Sequence, residues 1–209
     1  MNTIAGAYSN EAVNKFYDLI FCDQLTQYRP IDKLLSLYPW KILFSKNPSA
    51  AELEVLVADK NLESRLQLLA YRELSKFGVP AKRKELMGVV IEVGLDGGLD
   101  TLAAYRDGTA RYINHSEKII IWDSRTSVSD RLIEQLFEES QKVLQHIGPW
   151  TGARLAPPTL GDVRLSFLVS DGLYFGQGPF DALAADVMGG PVINAATQLM
   201  SYLTSHNKS

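Results

Sequence analysis

The chain of 209 residues carries 21 basic and 24 acidic side chains, a formal net charge of -3, and 46% of it is hydrophobic. This is the composition of a folded, water-soluble protein, which excludes a fibrous repeat or long disorder. Dispersed basic residues argue against nucleic acid as a partner, and the lack of any apolar run near the roughly 18 residues of a membrane span argues against insertion in a bilayer.

One sizeable core is expected at this length, drawn from an N-terminal helical region, residues 1–80, and an antiparallel α+β domain, residues 86–205. The opening Met1-Asn2-Thr3-Ile4-Ala5-Gly6 has no basic stretch leading into an apolar one, so no signal peptide is expected and the cytoplasm is the default address. Asn10 caps a helix whose Val13, Phe16, Tyr17 and Ile20 recur at helical spacing. The single cysteine, Cys22, has no partner for a disulfide and no neighbouring His for a metal. A buried or half-buried thiol on the first helix is expected there, not a nucleophile.

Pro30 and Pro39 punctuate the chain before an apolar run at residues 40–44 that fits a strand or a helix. Asn47-Pro48 reads as an N-cap and first helical position, ahead of Leu53, Leu56 and Val57. Asn61 reads as the cap of a second helix bearing Leu62, Leu66, Leu69, Ala70, Leu74 and Phe77, ended by Gly78 and Pro80. This αα-hairpin has no second copy, so a helical repeat array is not expected. The basic run Lys82-Arg83-Lys84 reads as a solvated linker.

From Leu86 the period changes to that of strands. Residues 87–95 alternate Val89, Ile91 and Val93 against Val90, Glu92 and Gly94, and Asp96-Gly97-Gly98 turns the chain. Residues 102–106 and 109–115 flank Asp107-Gly108, a type I′ hairpin signal, and residues 118–122 complete a four-strand meander. Ser127 and Asp130 suggest the capping box of a long helix ended by Gly148-Pro149. Val163, Leu165, Phe167 and Val169 then alternate with Arg164, Ser166 and Ser170, a further strand follows Asp171-Gly172, and a last helix runs from about Pro191. Gly176-Gln177-Gly178-Pro179 reads as a tight turn without the further residues of a phosphate loop.

The order is four strands, helix, two strands, helix. A doubly wound parallel sheet is disfavoured, and an antiparallel sheet of about six strands with helices against one face is predicted. In topology this resembles profilin-like and longin-like arrangements, scaffolds that serve as sensors, adaptors and structural modules alike.

A type I′ register would set Ala104 opposite Arg111, Leu102 opposite Ile113 and Asp100 opposite His115. A carboxylate facing an imidazole can orient a base, so Asp100, His115 and Arg111 are the candidate catalytic group, set against an ordinary cross-strand ion pair. The same register sends Ala103, Tyr105, Ala110 and Tyr112 to one face, which makes Tyr105 and Tyr112, with Trp122 as a core or rim aromatic, the candidate binding residues. No metal or cofactor motif is read. The expectation is a non-catalytic binding or interaction module, with an enzyme at Asp100 and His115 or a small-molecule sensor as alternatives. Ile119, Ile120 and Ile121 are free of proline and charge, so if their strand lies at a sheet edge it needs a cover, which either a two-fold homodimer or the N-terminal helical region folding over it within one chain would supply.

Overall fold

The computed structural model describes residues 6–207, so most of the segment read for a signal peptide lies outside it. Among the described residues no helix is long and apolar enough to cross a membrane. The N-terminal region forms α1 (Glu11–Ile20), α2 (Trp40–Leu43), α3 (Ala50–Ala58) and α4 (Ser64–Lys76), with two short 3₁₀ turns between α1 and α2. Strands β1 (Leu86–Leu95), β2 (Gly98–Tyr105), β3 (Ala110–Ile113) and β4 (Ile119–Trp122) follow, then α5 (Ser127–Leu144), β5 (Asp162–Val169), β6 (Gly172–Pro179), α6 (Phe180–Ala185) and α7 (Gly189–His206).

All six strands join one antiparallel sheet in the order β4-β3-β2-β1-β5-β6, as the alternation and turn residues predict. The helices do not keep to one face. On one side α5 and α7 cover Val89, Ile91, Leu102, Ala104, Val163, Leu165 and Phe167, and on the other the N-terminal helices cover Met87, Val90, Ala103, Tyr105 and Leu168. Both cores take residues from the sheet, and the sheet is the middle of three layers.

The β2–β3 turn departs from the predicted register by one residue. Gly108 N–H donates to Tyr105 O at 3.0 Å and Tyr105 N–H to Thr109 O at 2.9 Å, with Gly108 at φ +86°, so three residues rather than two make the connection. A side chain at Asp107 resists the positive φ that a type I′ turn asks of it, whereas a three-residue loop confines that conformation to Gly108. Ala104 therefore faces Ala110, Leu102 faces Tyr112 and Thr101 faces Ile113. Because side chains alternate with period two, the slip moves Ala110 and Tyr112 to the α5/α7 side while Ala103 and Tyr105 stay under the N-terminal helices. The four residues share no face.

Several helix starts differ from the predicted ones. Asn10 caps α1 as expected, accepting from Ala12 N–H. The cap of α3 is Ser49, in a reciprocal box with Glu52, not Asn47. That of α5 is Thr126 with Ser129, one residue before the expected pair. Helix α4 begins three residues after Asn61 and takes its cap from another part of the chain: Asp107 Oδ2, on the β2–β3 turn, accepts from Ser64 N–H at 2.8 Å, and Ser64 Oγ accepts from Asp107 N–H at 3.0 Å. The apolar run at residues 40–44 is helical, and Gly176-Gln177-Gly178-Pro179 belongs to β6 instead of a turn.

Candidate functional site

Tyr17, Glu92 and Arg164 meet beneath the N-terminal layer. Helix α1 buries Val13, Tyr17 and Ile20, and that face lies on the half of the sheet where β1 carries Glu92, in register with Thr101 on β2 and Arg164 on β5. Glu92 and Arg164 are 0% and 2% exposed. A lone buried charge would be strongly destabilising; here Arg164 Nε stands 3.2 Å from Glu92 Oε2, and the Tyr17 hydroxyl donates to Glu92 Oε1 at 2.5 Å. Burial lifts the Glu92 carboxyl above its ordinary range against the opposing pull of Arg164 and Tyr17. It also raises the Tyr17 phenol, which is thereby kept as a donor. The Tyr8 hydroxyl and Thr101 Oγ1, 2.8 Å apart, complete the polar patch.

Arg164 reaches outward as well. Its terminal nitrogens donate to Leu155 O at 3.1 Å and to Ala156 O. Those carbonyls belong to residues 150–157, an irregular strap between α5 and β5. At the other end of the strap, Trp150 N–H donates to Leu173 O at 2.7 Å, and the indole meets Phe175 edge-on at 5.2 Å. Between these anchors Arg154 crosses to α1 and the residues just past it. One terminal nitrogen donates to Asp18 Oδ1 at 2.6 Å and Nε to Asp23 Oδ2 at 3.1 Å, while the guanidinium carbon lies 4.1 Å from the Phe21 ring centroid and 5.2 Å from that of Tyr17.

Strap and α1 enclose an open cleft of about 610 Å³, lined among others by Tyr17, Asp18, Asp23, Arg72, Trp150 and Arg154. Asp23 Oδ1 and Arg72 Nε are buried there without hydrogen-bond partners. Cys22 lies next to this wall but is wholly buried, at φ +52° just beyond α1. Its thiol is pushed up to about 11 by burial, and it accepts from the Tyr28 hydroxyl at 3.3 Å.

The residues singled out from sequence lie elsewhere. Asp100 and His115 do meet, Nδ1 to Oδ1 at 3.3 Å, although the register that suggested it is not the one adopted; His115 N–H donates to Asp100 Oδ1 at 2.6 Å and the Tyr112 hydroxyl to Oδ2 at 2.8 Å. The His115 side chain is 53% exposed. Arg111 is not with them. It is the register partner of Ala103 on the opposite face, buried, paired to Asp123 at 2.8 Å and donating to Ala110 O at 2.7 Å. Tyr105 is completely buried with its hydroxyl on Ile20 O at 2.7 Å. Tyr112 and Trp122 belong to the α5/α7 core, where Trp122 packs edge-on to Tyr202 at 5.6 Å.

No motif in the sequence marks Tyr17, Asp18, Asp23, Glu92, Arg154 or Arg164 as site residues. A signal for two of them was present, since Glu92 and Arg164 are opposite charges placed within strands otherwise rich in apolar residues. Compared with protein-family models, with curated proteins and with solved structures, the chain has no match.

Proposed function

We propose that this chain is a non-catalytic binding protein whose ligand occupies the cleft between α1 and the strap at residues 150–157. The observation that carries the reading is the make-up of that cleft: about 610 Å³ of open space walled by aromatic rings and by ionic groups already set in fixed pairs. Concave sites with a few convergent polar groups are the usual form of small-molecule recognition. The groups available here favour holding a ligand over transforming it. Tyr17 stays protonated, Asp18 and Asp23 are engaged by Arg154, and the neighbouring Cys22 thiol is raised away from the reactive range. A cytoplasmic setting belongs to the same reading, with Cys22 a reduced thiol.

Trp150 provides the test. The chain has 3 tryptophans, and only Trp150 lines the cleft. A thermal-shift screen against common metabolites is expected to return ligands that raise the melting temperature, because binding to the folded state alone stabilises it. The same ligands should change tryptophan fluorescence in the wild type and not in Trp150→Phe. Hits whose fluorescence response survives that substitution would place binding elsewhere and end the proposal.

One observation favours self-association in addition. Strand β4 lies at the sheet edge, and Ile121 on it is 55% exposed, whereas Ile119 is packed against the N-terminal layer. Pairing of β4 with β4 of a second copy would satisfy the open strand edge and bring the two Ile121 side chains toward each other. Light scattering of the wild type against Ile121→Lys is the check, and a mass near 23.2 kDa for both across the micromolar range would sink this second reading.

A further inference from the structure

The surroundings of Arg154 are those of a guanidinium receptor. Two carboxylates, Asp18 and Asp23, accept from different nitrogens of the group at 2.6 and 3.1 Å, and two aromatic rings, Phe21 and Tyr17, lie against it at 4.1 and 5.2 Å. Charge-assisted hydrogen bonds and aromatic faces are the two means by which proteins recognise this cation. All four residues come from one continuous stretch, residues 17–23, so the receptor half does not depend on the strap for its assembly. Asp23 Oδ1 is left without a partner, which gives the site an acceptor that Arg154 does not use.

The occupant sits on a segment with few backbone ties. Residues 150–157 have no helix or strand hydrogen bonding apart from the single bridge of Trp150 to Leu173. Trp150 and the Leu155 and Ala156 carbonyls are anchored separately, by Leu173 and by Arg164. Among the described residues, Arg154 makes the one hydrogen-bonded or ionic tie between residues 151–154 and α1 or its C-terminal extension. Release of a single side chain would therefore open the receptor without disturbing either anchor.

We propose that Tyr17, Asp18, Phe21 and Asp23 form a subsite for the guanidinium group of a ligand, and that Arg154 is its internal occupant, displaced when an external guanidinium binds. This rests on the reading of the cleft as a ligand site and specifies the chemistry of what enters it. The shared chemistry can come from a free arginine-like molecule or from an arginine in a peptide. A receptor that is occupied internally binds an outside ligand more weakly by the fraction of time it stands open, so removal of Arg154 tightens binding.

The experiment compares the full-length wild type with Arg154→Ala, titrated with ethylguanidinium, with an arginine-containing tripeptide, and with the citrulline tripeptide of the same shape but no charge. In Arg154→Ala, ethylguanidinium or the arginine tripeptide is expected to raise the melting temperature by about 3–5 °C for each tenfold excess over its dissociation constant. Citrulline is expected to give no shift. The wild type should show the same preference with at least about tenfold weaker affinity, and Asp18→Asn in the Arg154→Ala background should abolish the response. A stronger response to either charged probe supports the subsite and identifies the source of the group. Equal affinity in wild type and Arg154→Ala, a response that persists in Asp18→Asn, or an equal response to citrulline would overturn it. If other metabolites still bind the cleft while every guanidinium probe fails, this inference falls and the broader binding reading stands. Should Arg154→Ala not fold, Trp150 fluorescence of the wild type, referenced to Trp150→Phe, decides on the same charged-against-citrulline contrast.

Discussion

The two faces of the sheet are both buried, yet they are built on different physics. Toward α5 and α7 the strands present Val89, Ile91, Leu102, Ala104, Val163, Leu165 and Phe167, an apolar surface met by Ile133, Leu136, Val192 and Leu199. Toward the N-terminal helices the same strands present Glu92, Thr101, Arg164 and Ser166 among Val90 and Ala103, all fully or nearly fully buried. The first face is held by area removed from water, which is tolerant of direction. The second adds directed polar and ionic contacts to an apolar layer that includes Met87, Tyr105 and Leu168, and there a charge left alone under the helices is costly. The cleft, the strap and the cage around Arg154 all lie on the second side, where the geometry of individual side chains decides the structure.

Breaking one member of the buried pair is the sharpest test of this difference. Arg164→Leu leaves Glu92 without its counter-ion and frees the Leu155 and Ala156 carbonyls, so a loss of about 3–5 kcal/mol is expected in urea denaturation. The double replacement Glu92→Leu with Arg164→Met should recover most of that loss, because two apolar groups in place of a buried pair are often neutral. A double variant as unstable as the single one would show that the pair contributes more than mutual neutralisation. On the opposite face, Leu136→Ala removes a completely buried side chain from α5 and should destabilise by about 3 kcal/mol. That loss should be the same at every pH and leave ligand binding at the cleft unchanged, and a shift in either would mean that the two faces are coupled.

Stability against pH separates the faces again. Burial raises Glu92 above the ordinary carboxylate range in the folded protein, so the folded state holds this proton more tightly than the unfolded chain does. The stabilisation is complete below the unfolded carboxylate pKa and is lost as pH rises through the raised folded value. Relative to Glu92→Gln, the wild type should weaken with rising pH across that window, by at most about 1.4 kcal/mol per pH unit for one proton. A wild type that instead strengthens with pH would show that Arg164 and Tyr17 outweigh the burial. The smallest effect is expected where the hairpin meets α4: Asp107→Ala removes the remote cap of Ser64, a loss of about 1 kcal/mol. Increased hydrogen exchange confined to the first turn of α4 and the β2–β3 turn would confirm it, and unchanged exchange there would show that Asp107 is not the cap.

Much of this architecture could be read along the chain because it depends on near neighbours. Alternation in residues 87–95 and 163–169, glycine at positions 97 and 108, and the helical spacing of Val13, Tyr17 and Ile20 each act within a few residues, and each produced the expected element. The sequence determined the order of elements and the antiparallel sheet, together with the apolar face that α5 and α7 cover. Tertiary structure decided the rest. A one-residue difference in how the chain passes Gly108 is a small local choice, yet it sets which face Ala110, Arg111 and Tyr112 occupy. Whether Glu92 and Arg164 meet water or each other depends on a helical layer remote in sequence, whose Tyr17 lies 75 residues before Glu92, being laid over them. Asp18, Asp23 and Arg154 come together only because α1 and the strap converge on the same edge of that layer. Periodicity records which residues share a face; it carries no record of what covers that face, and for buried charges the cover determines everything that follows.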